Sequence, residues 1–100
     1  SQGTVVRNNK VLATEGNSGT QQMLRKIKRK QKILKGILAK FPKKKQDLRI
    51  DLPTIGLKTL MQCKKVGLKG IVLKNKKNIC LEKKQLINFA NKNKMFISAV

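Results

Sequence analysis

A chain of 100 residues and 11.3 kDa has room for one hydrophobic core but not for two. Its formal charge of +21 comes from 25 basic residues against 4 acidic ones, and it has no histidine, which excludes a serine or cysteine hydrolase with an imidazole base inside this chain. No apolar run approaches the length of a bilayer span and the first residues are polar, so a soluble, cytosolic chain is expected. Two cysteines without histidine indicate neither a zinc site nor a disulfide framework.

Residues 4–7 and 11–14 are short β-prone runs separated by Asn8-Asn9-Lys10, a pattern that predicts a hairpin with a tight polar turn. After Glu15-Gly16-Asn17-Ser18-Gly19-Thr20 breaks that pattern, Met23, Leu24, Ile27 and Leu34 recur at helical spacing. A helix is therefore predicted from about Thr20 into the low thirties, ended by Gly36. Residues 36–41 read as a buried strand before Pro42, and Lys43-Lys44-Lys45 as the loop after it. Residues 48–50 make at most a small extended piece. Pro53 suits a turn or a first helical turn, and Thr54 is placed to cap a helix whose apolar stripe is Leu57, Leu60, Met61 and Val66, with Gly67 as its stop. Residues 70–74 and 79–81, joined by Asn75-Lys76-Lys77-Asn78, predict a second hairpin. A helix from Lys83 to about Asn93 and a final strand over 95–100 complete the chain. The predicted order is β-β-α-β-α-β-β-α-β, an α/β domain (α+β mixed) with one mixed sheet covered by about three helices.

The charge invites a nucleic-acid reading, but its type argues against one. Arginine stands only at positions 7, 25, 29 and 49, so 21 of the 25 basic residues are lysine, spread along the chain. There is no Trp or Tyr for stacking, and Phe41, Phe89 and Phe96 fall in apolar segments that read as core. No specific nucleic-acid partner is expected. Weak attraction to anionic lipid headgroups does follow from the charge, and is compatible with peripheral contact with an inner membrane.

Two of the four carboxylates lie in one short stretch, Gln46-Asp47-Leu48-Arg49-Ile50-Asp51-Leu52-Pro53-Thr54-Ile55-Gly56. Asp47 and Asp51, four apart, share a side in either a helix or an extended segment. Together they could hold one hard cation such as Mg²⁺, which prefers carboxylate and water oxygens and pairs with phosphate substrates. By spacing alone, the plainer alternative is that Asp47 caps a turn and Asp51 pairs with Arg49 or Lys58. The glycine-bearing turn from Glu15 to Thr20 could let backbone amides approach an anion, or could simply lead from strand to helix with Ser18 or Thr20 as cap. It lacks the spacing of a phosphate-binding P-loop and of a dinucleotide fingerprint.

The string QD-x-R-x-DLPTIG over residues 46–56, followed by Thr59 and Gly67-Leu68-Lys69-Gly70-Ile71, resembles the C-terminal domain of LpxI-type UDP-2,3-diacylglucosamine pyrophosphatases. Gln2, Thr4-Val5-Val6, Val11-Leu12-Ala13, Glu15, Gly19-Thr20, Met23-Leu24-Arg25 and Lys40 agree with that family's pattern, so the likeness spans nearly the whole chain. It implies a cytoplasmic hydrolase of lipid A biosynthesis that uses Mg²⁺ or another divalent cation. Its substrate is a lipid-linked nucleotide sugar, cleaved at the α-phosphorus to UMP and lipid X. Carried over by position, Asp51 and then Asp47 are the catalytic and metal-binding carboxylates. Gln46, Arg49 and Lys40 would touch phosphate or hold the aspartates, Glu15, Gly19 and Thr20 would form the opposite wall, and Thr54 would also bind substrate or phosphate. Departures from the family pattern are Gln21 where an acid usually follows Gly-Thr, Ser18 in place of a Glu, and Lys43-Lys44-Lys45 in place of Lys-Pro-Gly. The family also carries an N-terminal domain longer than this chain. The resemblance therefore implies one domain of a longer enzyme, inactive or nearly so by itself and compatible with a homodimer. The alternative readings are a basic nucleic-acid-binding module and a non-catalytic scaffolding domain.

Overall fold

The computed structural model describes residues 2–8, 10–30, 35–41, 54–74 and 79–100. Strands β1 (Gln2–Arg7) and β2 (Lys10–Thr14) form the first hairpin, and helix α1 (Gly19–Lys30) follows. Next come β3 (Ile37–Phe41), β4 (Thr54–Ile55), helix α2 (Leu57–Lys65) and β5 (Gly70–Leu73). The chain ends with β6 (Ile79–Cys80), helix α3 (Lys83–Lys92) and β7 (Phe96–Ala99). Gly19 opens α1 at φ +88°, and a Cβ there would meet nothing within 4 Å. The cost of Gly19→Ala is therefore conformational only. It is expected to lower stability by about 1–2 kcal/mol in a urea titration, and an unchanged midpoint would show that the left-handed turn is not needed.

Five strands form a mixed sheet in the order β2-β1-β3-β5-β7, with β1 antiparallel to both neighbours and β3, β5 and β7 mutually parallel. The three helical crossovers, β2 to β3, β3 to β5 and β5 to β7, all step across the sheet in one direction. Right-handed crossovers in one direction stack all the helices on one face. The core agrees: Val5, Leu38, Ile71 and Leu73 from that face pack with Leu24 of α1, Leu60 and Cys63 of α2 and Leu86 of α3 in one cluster.

The expected mixed sheet with three helices is the observed architecture, and the first hairpin, all three helices and the last strand fall where the periodicity predicts. Three expectations are corrected. Thr54 does not cap α2: Thr54 and Ile55 are a strand of their own, and Gly56, in extended conformation, stands at the N-cap with no side-chain hydrogen bond. Residues 79–80 do not return along β5. They pair in parallel with β4, Thr54 opposite Ile79 and Ile55 opposite Cys80, as a separate two-stranded sheet, which adds one strand to the predicted order. Met61 and Phe96, 41% and 44% exposed, and Phe41, outside the buried cluster, are not core, because each lies on the side of its element turned away from that cluster. The loop expected over 43–45, the extended piece over 48–50, Pro53, the turn over 75–78 and Leu34 lie outside the described residues. No helix among the described residues is long and apolar enough to cross a membrane.

Candidate functional site

In a parallel sheet, functional groups collect outside the carboxyl ends of the strands, where loops leave and helix N-termini arrive. Here that edge holds the ends of β3 and β5, the start of the antiparallel β1, and the turn from β2 into α1. Five of the residues singled out in the sequence come to it: Glu15, Gly19, Thr20, Lys40 and Thr54.

Glu15 ties the turn to the sheet. Its backbone N–H donates to the Gly3 carbonyl at 2.8 Å, and its Oε1 accepts from the Gly3 N–H at 3.2 Å and from the Thr20 hydroxyl. The Gln2 amide Nε2 donates to the Glu15 carbonyl at 3.3 Å. One carboxylate thus clamps the first turn of α1 against β1. Gly3 was not singled out in the sequence, although a glycine inside a β-prone run is a signal of close approach. A Cβ at that position would lie 3.3 Å from Glu15 Oε1, Thr20 Oγ1 and Leu38 Cδ1, so the bare backbone is what lets the carboxylate in.

Lys40 stands opposite Gly3 on β1 and Leu73 on β5, on the helix-covered face, and is only 8% exposed. Its Nζ donates to the Thr54 carbonyl at 3.0 Å, fastening β4 above the end of the central strand. Burial pushes the Lys40 ammonium below the ordinary lysine range, and the Glu15 carboxylate works in the opposite sense. Ile55, the next residue, is buried and accepts from the Leu81 N–H at 2.9 Å, so β4 is held from both sides.

Cys63 of α2 lies beneath Lys40 and is fully buried. Its position three residues after Leu60 gives only a core signal, so sequence reading does not place it near the site. Burial pushes the thiol up to about 12, with the Lys40 ammonium opposing. The unfolded thiol ionises near 9.0 and the folded one near 12, so the stability that wild type draws from Cys63 relative to Cys63→Ala is flat below pH 9. It falls as pH rises from about 9 to 12. At pH 8 a thiol reagent is expected to react with native Cys63→Ala as fast and as fully as with wild type; a loss of half the native reactivity would place Cys63 at the surface.

Gln46, Asp47, Arg49 and Asp51 lie outside the described residues. Among the described residues no three His, Cys, Asp or Glu side chains gather as a metal site. Glu15 is the carboxylate that the described part of this edge supplies, and its Oε1 is engaged. The carboxylate oxygens of Asp51 and Asp47 are the donor type that a hard cation takes.

The model of the LpxI C-terminal domain family matches residues 1–98. The chain is 35% identical over 106 aligned positions to the protein named UDP-2,3-diacylglucosamine pyrophosphatase LpxI of Caulobacter vibrioides. That alignment covers 99% of this chain and 38% of the relative. The chain thus spans well under half the length of the curated relative it matches.

Proposed function

Because the chain belongs to the LpxI C-terminal domain family, we propose that it is the site-bearing domain of a longer UDP-2,3-diacylglucosamine pyrophosphatase. The observation that carries this reading is the match over nearly the whole chain to a relative of that name. The reaction is hydrolysis: water attacks a phosphorus of the pyrophosphate and gives up a proton, the bond from that phosphorus to the bridging oxygen breaks, and UMP and 2,3-diacylglucosamine 1-phosphate separate. In this reading Asp51 and Asp47 hold a divalent cation such as Mg²⁺, which when bound neutralises the pyrophosphate. Gln46 and Arg49 contact phosphate oxygens, with arginine's fork suited to two of them at once. Gly19 and Thr20 supply the opposite wall at the start of α1, held there by Glu15. Lys40 keeps the end of the DLPTIG string seated through Thr54. The lysines exposed on α2 and α3, among them Lys58, Lys64, Lys83 and Lys84, support weak attraction to the anionic headgroups among which a lipid-linked substrate resides.

The deciding experiment is an assay of the full-length polypeptide on UDP-2,3-diacylglucosamine, with and without a chelator. UMP and the 1-phosphate are expected, with loss on chelation and recovery on adding Mg²⁺. No hydrolysis under any metal condition would overturn the enzymatic reading, and full activity in chelator would overturn the metal assignment alone.

A further inference from the structure

All three helices cover one face of the five-stranded sheet, and among the described residues no element covers the other. Register puts Val6, Ile37, Ala39, Phe41, Val72 and Phe96 on that second face. None of them belongs to the core cluster or to the side chains packed against it. Phe96 is 44% exposed, and Val11, opposite Val6, is 64% exposed. The remaining positions of this face are Gln2, Thr4, Thr14, Gly70 and Ser98. None of these paired positions carries a charge, in a chain where 29% of residues are charged.

This patterning is that of a buried surface. Solvated sheet faces alternate apolar-in with polar-out, whereas parallel strands covered on both faces read apolar throughout. Here β3 and β5 carry the second kind of sequence, while among the described residues elements lie over one face only. Gly70 adds to the argument: a Cβ on it would come within 2.6 Å of both the Phe96 ring and the Phe96 carbonyl oxygen, so the ring lies flat along the sheet at this point. A flat apolar sheet with an aromatic laid on it is a docking surface.

We propose that this uncharged face seats the polypeptide that precedes this domain in the full-length protein. The family match is to a carboxyl-terminal domain, and the relative extends well beyond the 38% of its length that aligns, so there is chain to occupy the face. A second copy is the poorer occupant, because each copy brings a formal +21 and like charges of that size oppose self-association. An anionic lipid surface is poorer still, since none of the paired positions of this face is a lysine, whereas Lys58, Lys64, Lys83 and Lys84 are exposed on the helices of the other side. The inference does not depend on what the site hydrolyses; it rests on the bare face and on the length of the relative.

The test is cysteine accessibility in the full-length polypeptide. Ser98→Cys places a thiol on the bare face and Asn88→Cys places one on the exposed side of α3, both at exposed positions of this chain. Maleimide labelling, followed peptide by peptide and normalised to the rates in denaturant, is expected to be at least tenfold slower for Ser98→Cys than for Asn88→Cys. A photo-crosslinker attached at Ser98→Cys is expected to capture a peptide from the preceding polypeptide of the same molecule. Equal labelling rates would overturn the proposal. So would protection that vanishes on dilution together with a dimer-to-monomer change in sedimentation, or a crosslink to a second copy. Val72→Lys should raise the Ser98→Cys rate to that of Asn88→Cys, while the Ser98→Cys measurement on its own remains decisive should that variant fail to fold.

Discussion

Asp51→Ala in the full-length polypeptide is expected to slow hydrolysis of UDP-2,3-diacylglucosamine by about 10²–10⁴-fold, the usual scale for removing a group that positions or deprotonates the nucleophile. The expectation rests on scarcity as well as on family pattern. The whole chain has four carboxylates, Glu15 is engaged by Gly3 and Thr20, and Glu82 precedes α3 on the surface. A site that holds a cation, as proposed, among 25 basic residues has few acids to draw on. Asp47→Ala is expected to cost less than Asp51→Ala, since Asp47 is the second carboxylate in the proposed assignment. Steady-state release of UMP in excess Mg²⁺ checks both. A wild-type rate for Asp51→Ala would remove that residue from the site, and partial rescue by raised Mg²⁺ would assign its role to metal affinity rather than proton transfer.

Lys40→Met is expected to separate stability from activity. Methionine keeps the unbranched stem in the core but removes the ammonium and its hydrogen bond to the Thr54 carbonyl. A hydrogen bond to a charged group contributes about 1.5–3 kcal/mol. Against that, the lowered pKa says that burial of the charge costs more than Glu15 returns. The two effects oppose, so the urea midpoint should move little, by about 1 kcal/mol or less in free energy. Turnover of the full-length protein should nevertheless fall by about 10²-fold, because β4, the end of the DLPTIG string, loses its tie to β3 and small misplacements of a reacting group are costly. Lys40→Ala should lose stability as well, by about 2–5 kcal/mol, since it leaves a cavity where the stem packed. The pH dependence has a definite sign. The penalty for burying charged Lys40 is fully present below its lowered pKa. It is relieved as pH rises from there toward 10.5, where the unfolded lysine still holds its proton, so in that window Lys40 makes wild type gain stability relative to Lys40→Met. Wild-type turnover by Lys40→Met would show that the Thr54 contact plays no part in positioning.

Much of the fold is legible in the chain because its elements are marked locally. The apolar spacing of Met23, Leu24 and Ile27 announces α1, and Leu86 and Ala90 announce α3. Gly67, at φ +87°, ends the α2 region where predicted. The candidate site is legible in another way: Glu15, Gly19, Thr20, Lys40 and Thr54 come from the family pattern, since nothing in their spacing says that residues up to 39 positions apart will meet.

Pairing is what local pattern does not contain. Ile79 and Cys80 look like the return strand of a hairpin from β5, because two β-prone runs with a polar turn between them ordinarily pair. The structure pairs them instead with Thr54 and Ile55, a dipeptide too short to register as a strand in periodicity. That choice frees the far edge of β5 for β7, which completes the five-stranded sheet. Similarly, the apolar residues of β3 and β5 promise burial without saying on which side. Sequence by itself determined which segments are helices and strands and that one string holds half the acids, because those properties belong to neighbours a few residues apart. Only tertiary structure decided that Glu15 and Lys40 share an edge, that Lys40 grips Thr54, and that no described element lies over one face. Those outcomes depend on strand order and on crossovers that all turn the same way, and both are set by contacts between residues far apart in the chain.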